Sequence, residues 1–210
     1  MQIIFENVEG NDTVYMDTLM AICGDTKDKS MLDAMCNLAP HTPLLGYGER
    51  AYVDVLPRIL DHKEEQKYFI QEDVFTYLKS AKKKYDTIIC SDGIEHITVL
   101  DGYALLCNFG LMSNKDIIFT PLGEHMVEDG NNPESHHSGW YPEMLPRGYA
   151  SIVFPQYHPT LGIGAFFSWS CRDIDADFER VKDELEAKKW WNRLEIKGYP
   201  YGFVVNQYTK

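Results

Sequence analysis

Thr87-Ile88-Ile89-Cys90 is the stretch that most constrains the fold. The run is short, rich in β-branched residues, and shows no polar alternation. A strand with these properties is buried on both faces, as in a parallel sheet packed between helices. Ser91-Asp92-Gly93 breaks the run with small and polar residues. After it, Ile94, Ile97, Leu100, Tyr103, Ala104, Leu106 and Cys107 recur at roughly helical spacing, so one helix is expected from Ile94 onward. Strand, polar loop and helix follow in order. In an open α/β sheet ligands bind beyond the carboxyl ends of the strands, which puts Ser91, Asp92, Glu95 and His96 in the right place for a site.

The same grammar repeats along the chain. Ser30–Asp33, Ala51–Val55, Tyr68–Gln71, Asp116–Pro121, Ala150–Phe154 and Ile163–Trp169 are further strand candidates, and Gln2–Phe5 is a weaker one. Val14–Cys23 carries a helical pattern that Gly24 ends, and Asp73 stands where it would cap a helix over Val74–Lys83. The last two strands are joined by PQYHPTLG, a short connection that implies an antiparallel hairpin at the sheet edge. The expected fold is therefore α/β: a doubly wound, mostly parallel seven-stranded sheet with an edge hairpin. Ile174, Phe178, Val181 and Leu185 fall on one face of a helix, giving a C-terminal helical extension. Residues 1–171 read as one domain with its core at about 15–170, and 172–210 as an extension packed on it. Packing is the expected role of the extension's apolar stripe, and a lid or homodimer contact is the other role open to it.

Composition removes several classes of function. Acidic residues outnumber basic ones 32 to 20, for a formal charge of −12, which repels phosphate backbones and makes a nucleic-acid partner unlikely on charge grounds. No apolar stretch approaches the ~18 residues of a membrane span, and the N-terminus lacks a signal-peptide pattern. The five cysteines are odd in number and form no CxxC pair, so they read as reduced buried thiols of a cytoplasmic protein. The loop HMVEDGNNPESHH matches no closed zinc spacing, and no metal site is expected from it. Nucleophile-elbow, P-loop and H-E-x-x-H motifs are absent from the sequence.

Taken together, the strand order, the SDGIEH segment after the fourth core strand, and the run NPESHHSGWYPE ahead of the sixth resemble the class I S-adenosylmethionine-dependent methyltransferases. The resemblance covers roughly residues 15–170. It implies S-adenosylmethionine as cofactor, S-adenosylhomocysteine as product and a small-molecule acceptor. A nucleic-acid or protein acceptor, and a cofactor-binding relative without turnover, are the alternative readings.

Residue by residue, it implies cofactor contacts from Asp33, Met35 and Asn37 in the first loop. Asp54 would hold ribose hydroxyls, with Val55 beside it. Asp73 and Val74 would flank the adenine, and Ser91, Asp92 and Gly93 would complete the pocket. His96 and His137 are the candidate bases. The chain departs from the family at the turn after the first core strand. The pattern D-x-G-x-G-x-G becomes Asp33, then Met35, Asn37 and Ala39 where glycines stand, and glycine is what lets a backbone approach a ligand closely.

Overall fold

The computed structural model describes residues 1–6, 8–125, 134–158, 160–188 and 194–197. Trp190, Trp191, residues 198–210, and Glu128 and Asp129 of the long loop lie outside them. The strands are β1 (Gln2–Phe5), β2 (Ser30–Ala34), β3 (Glu49–Asp54), β4 (Phe69–Gln71), β5 (Tyr85–Ser91), β6 (Ser113–Pro121), β7 (Tyr149–His158), β8 (Ile163–Cys171) and β9 (Leu194–Lys197). They form one sheet in the order β4-β3-β2-β5-β6-β8-β7-β1-β9. Only β8 and β9 run against their neighbours.

Two expectations are corrected. The sheet has nine strands, and the β7–β8 hairpin lies inside it, because β1 pairs parallel to β7 and β9 pairs antiparallel to β1. Among the described residues, the C-terminal extension is thus a helix followed by a strand. All four residues of β1 are buried, so QIIF is a core strand despite its brevity.

Among the described residues, four helices cover the sheet: α1 (Asp12–Cys23), α2 (Val74–Ser80), α3 (Val99–Met112) and α4 (Ile174–Lys188). On one face, α1 and α4 pack over Ile3, Ile89, Ile117, Ile152, Phe167 and Trp169. On the other, α2 and α3 pack with Leu32, Val53, Ile88, Ile118 and Phe166. Ile88 and Ile89 point to opposite faces, and both faces are roofed, which is why the β5 run shows no polar alternation. The α4 stripe behaves as its spacing predicts: Phe178, Val181 and Leu185 are buried. Lys115 and Arg180 donate to the free carbonyls of Ile22 and Ala21, neutralising the negative end of α1.

The helix expected from Ile94 onward is divided. Ile94–His96 is a single 3₁₀ turn, and α3 starts afresh at Val99 because Thr98 caps it through Asp101 N–H at 3.2 Å. The break moves the buried face to Gly102, Leu105, Leu106 and Phe109, leaving Leu100 79% exposed. Asp73 does cap α2, accepting from Thr76 N–H at 2.9 Å, and that helix ends at Ser80. Cys23, Cys36 and Cys90 are buried, but Cys107 is exposed and Cys171 partly so. No helix among the described residues is long and apolar enough to cross a membrane.

Candidate active site

The first loop solves the problem posed by its missing glycines. Met35, Asn37 and Ala39 have φ of 61°, 47° and 46°, the left-handed region in which non-glycine residues pay a penalty of about 1–3 kcal/mol. The loop thus takes, at three non-glycine residues, the left-handed backbone that glycine adopts most readily. Two strand-end carboxylates clamp it. Asp33 at the end of β2 accepts from the Thr42 hydroxyl, across the whole loop. Asp54 at the end of β3 accepts from Asn37 N–H at 2.9 Å and Leu56 N–H at 2.8 Å, with Arg58 Nε 3.7 Å away. Cys36 N–H adds a bond to Val53 O at 3.1 Å.

The side chain at Met35 is accommodated by a glycine on the facing loop. A Cβ built on Gly93 would stand 3.1 Å from Met35 Cβ and 2.7 Å from Cys90 Sγ. Gly93 has φ −135°, so its backbone does not need glycine. Its missing side chain supplies space.

Between the two loops lies a cavity of about 250 Å³, walled by Asp33, Asn37, Ser91 and Asp92 together with Tyr15, His41, Phe119 and Tyr157. Tyr15, on α1, shares a hydrogen bond with the Ser91 hydroxyl at 2.7 Å and tilts against His41 at 4.4 Å between ring centroids. Burial raises the Asp33 carboxyl to about 7, with the Asp54 charge adding to it and Thr42 opposing. Asp92 is also raised, first by the crowding around it and then by Glu95. Its surface is open to solvent, so water tempers that push.

Of the residues singled out in the sequence, Asp33, Asn37, Ser91 and Asp92 meet at this cavity. Met35 and Gly93 face each other and are not among its walls. Asp54 is 7% exposed and points into the first loop's main chain. Val55 is 57% exposed and stands alongside the next loop, where Glu72 N–H donates to Asp54 O and Gln71 donates to Val55 O. Val74, the first residue of α2, is buried, and Asp73, its cap, is exposed.

Tyr15, His41, Phe119 and Tyr157 carried no sequence signal as site residues. They come from α1, the first loop, the end of β6 and the hairpin, and only the fold brings them together.

A second cluster adjoins Asp92. The loop 134–140 docks on the 3₁₀ turn: His137 N–H and Ser138 N–H donate to Glu95 O at 2.7 and 3.1 Å, and the Ser138 hydroxyl donates to Ile94 O. Trp140 anchors it, 1% exposed, over Gly102. This docking brings His136 to His96, with ring centroids 5.1 Å apart. His137 is exposed and contributes its main-chain N–H. His96 Nδ1 lies 3.3 Å from Ser135 O. Glu95 is 2% exposed and accepts from the Thr120 hydroxyl at 3.0 Å, and burial raises its carboxyl above the usual range. Burial and the neighbouring His96 lower His136.

No family model matches this sequence, and no curated protein matches it. Solved structures do. Magnesium protoporphyrin IX methyltransferase (ChlM) from Synechocystis PCC 6803, with bound S-adenosylmethionine, aligns at a TM-score of 0.52 and 13% identity, covering 75% of this chain and 78% of that one. DhpI in complex with S-adenosylhomocysteine aligns at 0.53 and 12% identity, covering 77% and 86%. WbdD, in a co-crystal with the kinase inhibitor LY294002, aligns at 0.51 and 16% identity, covering 75% of this chain and 39% of that one. With the first loop and the strand order, these alignments establish that the chain has the fold of the class I S-adenosylmethionine-dependent methyltransferases, widened by β1 and β9 beyond the hairpin.

Proposed function

We propose that this protein is an enzyme that transfers a methyl group from S-adenosylmethionine to a small-molecule acceptor, leaving S-adenosylhomocysteine. The observation that carries the reading is the left-handed loop Met35–Ala39 beside an acid-lined cavity at the carboxyl ends of β2 and β5.

The residues fit such a ligand. Asp33 and Asp92 offer counter-charges to a cationic group, and Tyr15, Phe119 and Tyr157 offer aromatic faces and edges to it. The exposed Val55 gives a flat base an apolar surface. Asp73 uses Oδ1 in the cap of α2, and its second oxygen is of the type that accepts from an exocyclic amine. Asp54 holds the loop main chain with one bond to each oxygen, so a ribose diol would share an already committed carboxylate.

The cofactor supplies an activated methyl and a neutral leaving group. The protein's task is then positioning and exclusion of water, which can supply about 7–11 kcal/mol. Asp33 and Asp92 fix the charged end, and α1 roofs the cavity through Tyr15. ChlM alone of the three is named for its acceptor, magnesium protoporphyrin IX, and the acceptor of this chain is proposed here only as a small molecule.

Calorimetric titration with S-adenosylmethionine and, separately, S-adenosylhomocysteine tests the reading. Micromolar binding is expected from the wild type, weakened at least about tenfold in Asp92→Asn, a loss of one charge-assisted contact. Heat from neither ligand in the wild type would overturn it. Transfer of a labelled methyl group into a small-molecule fraction, and not into protein or nucleic acid, supports the acceptor class.

A further inference from the structure

We infer that Glu95, His96 and His136 form a binding site for a divalent transition ion of the zinc class. The three residues come from two segments about 40 positions apart, and one ligand atom of each lies within 4.8 Å of the other two. Donors at about 2.0–2.1 Å from a zinc-sized ion stand roughly 3.3 Å from one another, so closure needs a movement of about 1.5 Å. The two imidazoles are only half-buried and have room to make it.

The surroundings suit ligation. His96 Nδ1 faces Ser135 O at 3.3 Å, and donating there leaves the Nε2 lone pair free to ligate. The Thr120 hydroxyl holds Glu95 Oε2 at 3.0 Å, an outer hydrogen bond of the kind that orients a ligating carboxylate. Glu95 itself is buried, and a buried carboxylate calls for a cationic partner. Among the described residues, it has two imidazoles beside it and no lysine or arginine in ion-pair contact. Two imidazoles and one carboxylate bind zinc with a coordination position left open.

The docking of loop 134–140 makes this set, through Ser138 and Trp140, and the loop's own histidine spacing contains no trace of it. Asp92 feels the charges of both Glu95 and His96, so the ion would border the cavity. The inference stands apart from methyl transfer, since binding the ion needs no methyl donor. Failure of either one leaves the other to its own test.

Chelator-treated full-length protein is titrated with zinc chloride by calorimetry and with cobalt chloride by visible absorption. One equivalent should bind at micromolar concentration, with a d–d band from cobalt. His96→Ala and His136→Ala should each weaken binding by about tenfold or more. His137→Ala, whose imidazole lies off the cluster, should leave it unchanged. Circular dichroism checks that each variant folds, and Glu95→Gln adds a third loss where it does. Absence of saturable binding by the wild type, or wild-type affinity in both His96→Ala and His136→Ala, overturns the inference.

Discussion

Two loops leave the carboxyl ends of neighbouring strands, and they hold their shapes by different means. The loop after β2 is fixed from beneath: Asp33 and Asp54 clamp it, and Met35, Asn37 and Ala39 take left-handed conformations. The segment after β5 is fixed from outside, by a loop that begins some 40 residues later and lays its main chain on Glu95. The first is a local device of short sequence separation. The second depends on a long-range docking event anchored by Trp140. The inner clamp works within a short stretch of chain, whereas the outer one depends on a docking between segments far apart in sequence.

The largest expected effect breaks the outer device. Trp140→Ala should cost about 3–5 kcal/mol of stability in denaturant titration, because a fully buried indole over Gly102 leaves a cavity. It should also weaken metal binding while sparing S-adenosylmethionine binding. Equal loss of both would show that the two loops act as one unit.

Asp54→Ala attacks the inner clamp. It strips two main-chain N–H groups of their acceptor and should cost about 2–3 kcal/mol. Cofactor affinity should fall with it while zinc affinity stays.

Gly93→Ala tests where the two devices touch. Overpacking against Cys90 Sγ and Met35 should cost about 1–3 kcal/mol. A Met35→Gly background should recover part of that in a double-mutant cycle, and strict additivity would refute the contact.

The smallest effect is a pH dependence. The Asp33 carboxyl is raised to about 7, above its ordinary 3.8. Its neutral form favours the fold, so that contribution is complete below pH 3.8 and is lost as pH rises through about 7. A cationic ligand favours the ionised form, so binding should release a proton. Affinity for S-adenosylmethionine should then fall about tenfold between pH 8 and pH 6. Asp33→Asn should flatten that slope in calorimetry, leaving only the part carried by Asp92.

Much of this molecule was legible in the chain. The core strands, the burial of β5 on both faces, the α4 stripe and the Asp73 cap all follow from local periodicity and side-chain chemistry. The family resemblance, not local periodicity, singled out Asp33 and Asn37 together with Ser91 and Asp92, and the β2–β5 pairing sets the four around one cavity. The α3 register was not legible, because Thr98 restarts the helix and the residues before it belong to a different turn. Nor was the choice between adjacent histidines. His136 and His137 are chemically identical in sequence, and only the hydrogen bonds from His137 and Ser138 to Glu95 decide which imidazole turns inward.

The sequence by itself determined the alternation of strands and helices, the carboxyl-end position of the site and the acidity of its walls. These depend on spacing and residue type within a few turns of chain. Tertiary structure alone decided that β1 and β9 extend the sheet, that Gly93 makes room for Met35, and that Glu95 meets two histidines. Each of those is a contact between segments far apart in sequence, and local patterns carry no information about which distant surface will come to lie against them.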